Sequence, residues 1–369
     1  MEKKNMNGLK VTYNLHEYSG DKVYISFAIG MGVSVRRYCL DEKQEFLSNL
    51  AFANVWSNYI KKLYGLDYKC IVDRTNTYVV KQTNQKNIAV AMEEFLKMVF
   101  STTYDAEVFE QVKIKTMDNF KGVYKNGRFR GVHKSYEATE WNKEFYLKRL
   151  IDDIQGITYE QFVDIAKKLL VPSNCQVFVN GSVRELSDGE IESMKQAIPI
   201  DKPKVTLLAN IQNPYLRKDM HVIEVAEEPC NINAICLSFD TKVNMITRYY
   251  YAVIEGSKIK ERNKYMHVDF MDASYIVISE ELRSMKRVFQ NLATKEQYEE
   301  AQQQEKIRIT EWLENEPIMF ATKVLEIQML GISLTEYLQL LNQFSYEDYI
   351  GVMKECRPVI CEAQVVMRR

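Results

Sequence analysis

Two stretches of the chain repeat one pattern of polar and apolar positions. From Thr158 the sequence reads TYEQFVDIAKKLLVPSNCQVFVNG, and from Ser345 it reads SYEDYIGVMKECRPVICEAQVVMR. Each opens on a hydroxyl residue suited to cap a helix and continues with an apolar stripe at helical spacing. Each then passes a proline, Pro172 or Pro358, and ends in an alternating run that predicts a strand. The separation, 345 − 158 = 187, is about half of the 369-residue chain. A second pair follows the same rule: Thr103 and Thr294 each lead a long polar helix, at 294 − 103 = 191. A two-strand signal opens each half, LKVTYNLHEY then KVYISFAIG in the first and MHVIEVAEE then INAICLSFD in the second, at 222 − 11 = 211. Matched segments at nearly one offset indicate internal duplication.

Each half therefore predicts strand, strand, helix, strands, helix, long helix, helix, strand. That order implies an α+β fold of two repeated halves, each an antiparallel sheet with helices on one face. The halves are expected at 1–187 and 215–369, and 188–214, which holds Pro199, Pro203 and Pro214, is expected to link them.

Composition narrows the function classes. Basic and acidic residues number 49 and 50, so the global charge offers no footprint for nucleic acid. The densest basic run, Lys121 to Lys134, suits a solvated helix end and loop, or an acidic peptide partner as the weaker alternative. Seven cysteines without a CxxC pair suit reduced, mostly buried thiols, and with them a cytoplasmic setting. The start of the chain carries no apolar run of the signal-peptide kind, and Val23 to Val33 is too short to span a bilayer.

Familiar catalytic motifs are missing. There is no GxSxG and no GxxxxGK[ST], and Gly30-Met31-Gly32 lacks the third glycine of a nucleotide loop. The four histidines, His16, His133, His221 and His267, never fall within one helical turn of each other. Cys70 is a conceivable nucleophile only if a cationic or imidazole neighbour lowers its pKa; a buried inert thiol is the simpler reading.

The order of segments in the first half resembles the M16 (pitrilysin-type) metallopeptidase family. NGLKVTYN followed by VYISFAIGMGV is similar to the family's first two strands. YGLDYKCIVDRTNTYVV is similar to its G…NAxTSRDxTxY strands, matching at Gly65, Arg74 and Thr77, with Lys69-Cys70 in place of Asn-Ala. The helix-turn-helix of 88–112 and the ending at 157–183 complete the likeness. The resemblance implies that a helix expected over Asp41–Tyr64 carries the site where the family has its zinc motif HxxEH. There this chain reads Glu45-Phe46-Leu47-Ser48-Asn49. Two imidazoles one turn apart, a glutamate base and a third carboxylate are what a zinc peptidase requires. By the alignment the imidazoles become Glu45 and Asn49, the base becomes Ser48, and the third-ligand position falls at Met117.

The resemblance thus implies a non-catalytic member without zinc or other cofactor, paired with an active HxxEH partner that alone carries the metal. It further implies that an extended precursor peptide adds to the sheet edge at Tyr68, Lys69, Cys70, Ile71 and Val72; an ordinary core strand would show the same alternation. Lys258 and Tyr265 stand nearest the family's substrate-holding arginine and tyrosine. The chain looks most like the AlbE-type subunits of bacteriocin (subtilosin-like) gene clusters. A stand-alone peptide-binding or escort protein and a purely structural subunit are the alternatives.

Overall fold

The computed structural model describes residues 2–33, 37–40, 44–65, 67–73, 75–125, 147–202, 205–207, 220–226, 232–238, 244–258, 265–268, 275–279, 289, 291–355 and 359–367. In the strands from 220 onward, and at a few other positions that include Glu45, only the backbone is described. Contacts divide the chain into two compact units. One comprises 1–117, 152–208 and 309–337, the other 118–151, 209–308 and 338–369.

The first unit is built on a six-stranded sheet. Its strands are β1 (Glu2–Met6), β2 (Leu9–Leu15), β3 (Lys22–Ile29), β6 (Tyr68–Val72), β7 (Thr77–Asn84) and β8 (Cys175–Gly181), in the order β1-β2-β8-β3-β7-β6. A tight turn joins β1 to β2, with positive φ at both Asn7 (51°) and Gly8 (89°), the backbone twist that two-residue hairpins need. The expected neighbours β2 and β3 do not pair with each other. The closing strand β8 lies between them, parallel to β2 and antiparallel to β3, so the sheet is mixed and not wholly antiparallel. A parallel pairing requires a long crossover, and the helices between β2 and β8 supply it.

Register assigns the two faces. Val11, Val177, Phe27, Val79 and Cys70 line up across the strands on one face. Thr12, Phe178, Ser26, Val80 and Lys69 line up on the other. On the first face, Phe27 meets Phe100 and the Phe95 ring of α2 (Ile88–Val99) at 5.8 and 6.4 Å. Helix α1 (Phe52–Tyr64) precedes α2 in the chain, and α3 (Ala106–Lys125), α4 (Leu147–Gly156) and α5 (Tyr159–Leu169) follow it. The second face is covered too, which a one-face layer did not anticipate. Its cover is α9 (Pro317–Met329), a helix from the second half of the sequence. Phe320 of α9 packs on Phe178 at 5.9 Å, and Gln328 donates to Thr12 Oγ1 at 3.0 Å. Gly30 ends β3 beneath this helix: a Cβ there would lie 2.7 Å from Asn174 Oδ1 and 3.1 Å from Met329 Cε. Close packing accounts for that glycine.

The second unit repeats the topology. Strands β10 (Met220–Ala226), β11 (Ile232–Ser238), β12 (Tyr265–Val268), β13 (Tyr275–Ser279) and β14 (Val359–Met367) form a sheet in the order β10-β14-β11-β13-β12. The closing strand is again parallel to the first and antiparallel to the second. Side-chain detail repeats as well. Tyr159 donates to the Tyr104 carbonyl at 2.5 Å, and Tyr346 of α11 (Tyr346–Glu355) donates to the Ala293 carbonyl at 3.0 Å. Thr158 caps α5 through Gln161, and Ser345 caps α11 through Asp348. Helices α7 (Met245–Ser257), α8 (Lys295–Asn315) and α10 (Leu334–Gln343) complete the second series. Duplication is thus visible in strand order, caps and buried tyrosines alike.

Within 188–214, α6 (Asp188–Gln196) is a helix with a Ser187–Glu190 capping box. Further on, β9 (Val205–Leu207) pairs with β4 (Arg37–Leu40), which also pairs with β5 (Gln44–Leu47).

Candidate functional site

The site is built around α1, which meets both α3 and β6. Helix α1 starts at Phe52, eleven residues after the expected Asp41 (52 − 41 = 11). Glu45 lies on β5 opposite Cys39, Ser48 is buried beyond the strand, and Asn49 forms the turn that begins the helix. The Asn49 side chain accepts the Ala51 N–H at 2.9 Å and its carbonyl accepts that of Phe52 at 3.0 Å. In the second unit the Asn244 side chain does the same for Ile246 at 2.9 Å, ahead of α7. Residues 45–49 therefore do not share a helix face, which corrects the helical placement. The physical cause is the hairpin: Phe46 stacks on Tyr38 at 5.2 Å, and the Lys168 ammonium lies 4.6 Å over the Phe46 ring.

The helix presents a different group of five. Asn54-Val55-Trp56-Ser57-Asn58 has asparagines at i and i+4, hence on one face. Asn58 donates to Thr116 Oγ1 of α3 at 2.9 Å, and Thr116 donates to the Val112 carbonyl at 2.7 Å. Ser57 is only 3% exposed, and neither its hydroxyl nor the Asn54 amide nitrogen finds a partner among the described residues. Met117 is half-buried and adjoins Thr116, which makes the contact to α1. The sequence reading passed over Asn54, Ser57, Asn58 and Thr116. Their signal was present, since 54–58 repeats the Ser-Asn ending of 45–49 nine residues later (54 − 45 = 9). Carboxamides and hydroxyls donate and accept hydrogen bonds, but they neither titrate near neutral pH nor supply charge. Among the described residues no three of His, Cys, Asp and Glu converge as metal ligands do.

We expect the substitutions Glu45→His, Ser48→Glu and Asn49→His, combined, to yield a protein that still binds no stoichiometric zinc, because a strand and a turn cannot set two imidazoles one helical turn apart. One equivalent of zinc by atomic absorption after dialysis would refute this placement.

Beside α1 runs β6, the terminal strand of its sheet. Its N-terminal end is pinned by Tyr68, which stacks on Phe95 at 6.1 Å and lies under the Lys81 ammonium at 5.1 Å. Lys69 is exposed, and Ile71 and Val72 are half-buried. Cys70 faces α1, and burial pushes its thiol up to about 11, against a smaller opposite pull from Lys61. His16 cannot activate it: β2 and β6 are four strands apart, about 19 Å at ordinary strand spacing. His133 lies outside the described residues, as do the side chains of His221 and His267. Arg74 lies outside them too.

In the second unit Tyr265 opens β12, the edge strand that corresponds to β6. Lys258 turns inward. Its ammonium pairs with Glu255, donates to the Asn291 carbonyl at 2.7 Å and lies 5.3 Å over the Phe289 ring. Those bonds occupy it with structural partners.

No family model and no curated protein matches this sequence. Solved structures do match. A chain from Alicyclobacillus acidocaldarius described as an M16-like peptidase superposes with TM-score 0.76 at 13% identity, covering 99% of this chain and 98% of that one. A peptidase M16 inactive domain from Pseudomonas fluorescens superposes with TM-score 0.64 at 13% identity, covering 99% and 97%. The fold is that of the M16-like peptidases. The periplasmic protease PqqL of Escherichia coli matches with TM-score 0.62 at 11% identity, over all of this chain and 46% of PqqL. An M16-like fold of this extent is therefore about half of that longer protease chain.

Proposed function

We propose that the chain is a non-catalytic M16-type subunit that holds an extended peptide along β6 while an active, HxxEH-bearing partner performs zinc-dependent cleavage. The observation that carries the reading is the pairing of an edge strand with a helix whose i, i+4 face bears Asn54 and Asn58. Unpaired main-chain groups on an edge strand can add a peptide as one more strand. The neighbouring carboxamides cannot activate water against such a peptide. The match to about half of PqqL supports a second half acting together with this one. Within this proposal zinc belongs to the partner alone, and the substrate is a precursor peptide of the bacteriocin-leader kind. Lys258 takes no part in peptide holding, since its ammonium is already bonded within its own unit.

Mixing the purified chain with an HxxEH homologue encoded beside it tests this reading. Cleavage of a precursor peptide should rise on mixing and be absent with this chain alone. Cleavage by the isolated chain would overturn the proposal. Peptide binding without any gain of cleavage on mixing would leave a stand-alone peptide-binding protein, which the terminal place of β6 among the described strands also permits.

A further inference from the structure

The charges around β6 are uneven. From Phe52 to Tyr64, α1 contains no acidic residue, and Lys61 and Lys62 stand in its last turn. Both are exposed, as is Lys69 on the strand. None of the three has a carboxylate partner among the described residues, whereas Lys81, Lys97, Lys113 and Lys168 nearby are each paired. The carbonyl end of a helix carries only about half a negative charge, so two lysines there leave a surplus. Register puts Lys69 on the face opposite Tyr68 and Cys70, whereas the last turn of α1, which carries Lys61 and Lys62, lies on their face, where the Tyr64 ring is 5.8 Å from that of Tyr68. Positive charge thus flanks the edge on both faces. The acidic residues Asp67 and Asp73 lie outside the strand, one at each end. Apolar surface adjoins the lysines: Leu63 and Tyr64 are exposed at 47% and 42%, and Ile71 is half-exposed.

We infer that the β6 edge selects an extended acidic peptide, in which carboxylates meet Lys61, Lys62 and Lys69 and alternate with apolar side chains. This rests on the edge-strand reading above and adds the substrate class. An added strand presents alternate side chains to opposite faces, so lysines on both sides accept acidic residues from either set. The apolar neighbours take up side chains that a purely polar peptide would leave in water.

Fluorescence anisotropy with a short labelled peptide alternating valine and glutamate, and with its valine-glutamine counterpart, tests the inference. The glutamate peptide should bind about tenfold more tightly at low salt, as several exposed ion pairs provide. That margin should shrink as salt is raised. In the variant combining Lys61→Glu, Lys62→Glu and Lys69→Glu the preference should vanish or reverse, with the circular dichroism unchanged because all three side chains are exposed. Equal binding of both peptides to the native chain would overturn the acidic preference and leave the edge-strand reading standing. Failure of both peptides to bind would overturn the two together.

Discussion

Replacing Phe162 by alanine is expected to destabilise the protein by about 3–5 kcal/mol, the cost of removing a buried aromatic ring and leaving a cavity. Phe162 is fully buried on α5. Its ring lies 5.3 Å from Phe52, 6.1 Å from Tyr59, 4.8 Å from Tyr104 and 5.0 Å from Phe109. Those rings come from α1, from the approach to α3 and from α3 itself, so one side chain joins the elements that build the candidate site. Aromatic neighbours cannot close over the gap without leaving their own rotamers, which is why little of the loss should be recovered by relaxation. Urea unfolding followed by tryptophan fluorescence would report it, since Trp56 stacks near Phe52 at 6.5 Å. A loss below about 1 kcal/mol would contradict the packing described here. The conservative Phe162→Leu should cost clearly less, because it fills most of the volume.

A comparable loss, about 3–5 kcal/mol, is expected for Glu255→Ala, because breaking a buried ion pair strands the surviving charge. Glu255 is 1% exposed, and the Lys258 side chain that pairs with it is 4% exposed. Its second oxygen accepts the Tyr349 hydroxyl, which in turn accepts the Ala293 N–H at 2.8 Å. Burial, reinforced by the Glu255 charge, keeps the Tyr349 phenol well above its usual range, so the hydroxyl stays protonated at neutral pH and donates. The alanine variant would leave the ammonium with only the Asn291 carbonyl and no countercharge, and the phenol without its acceptor. Combining Glu255→Leu with Lys258→Met should restore most of the stability, since apolar groups of similar size avoid the desolvation cost of both charges. Thermal melts of the single and double variants would separate the two cases. A double variant as unstable as Glu255→Ala would mean that shape, and not the stranded charge, sets the loss.

Phe162 and Tyr349, the partner of Glu255, belong to corresponding places in the duplicated fold. Phe162 and Tyr349 sit on α5 and α11, each three residues beyond a tyrosine that bonds the carbonyl before the long helix. In the first half the phenol that accepts the N–H before the long helix is Tyr59 of α1, bonded to Asp105; in the second it is Tyr349 itself, which also donates to the buried Glu255. That difference suits a second unit whose buried polar groups serve packing.

The candidate site was only partly legible. Tyr68 to Val72 was readable as a strand because alternation is a local property, but its edge position depends on where β7 and β8 pair. The family likeness points to Glu45–Asn49 for the degenerate motif. The helix that meets α3 begins later, and its i, i+4 pair is Asn54 and Asn58. Nothing local distinguishes the two groups of five. Phe46 stacking on Tyr38 and β4 pairing with β9 decide that the first is strand and turn.

What the sequence by itself determined is the duplication and its elements. Caps at Thr158 and Ser345, apolar stripes and strand alternation act within a few residues, so they read the same in any context. Tertiary structure alone decided that β8 lies between β2 and β3, and that α9 covers the second face of the first sheet. It also decided that Lys258 is bonded inward. Each of these outcomes depends on burying surface between residues far apart in the chain, and the free energy of that burial belongs to the assembled pairings and to no single segment.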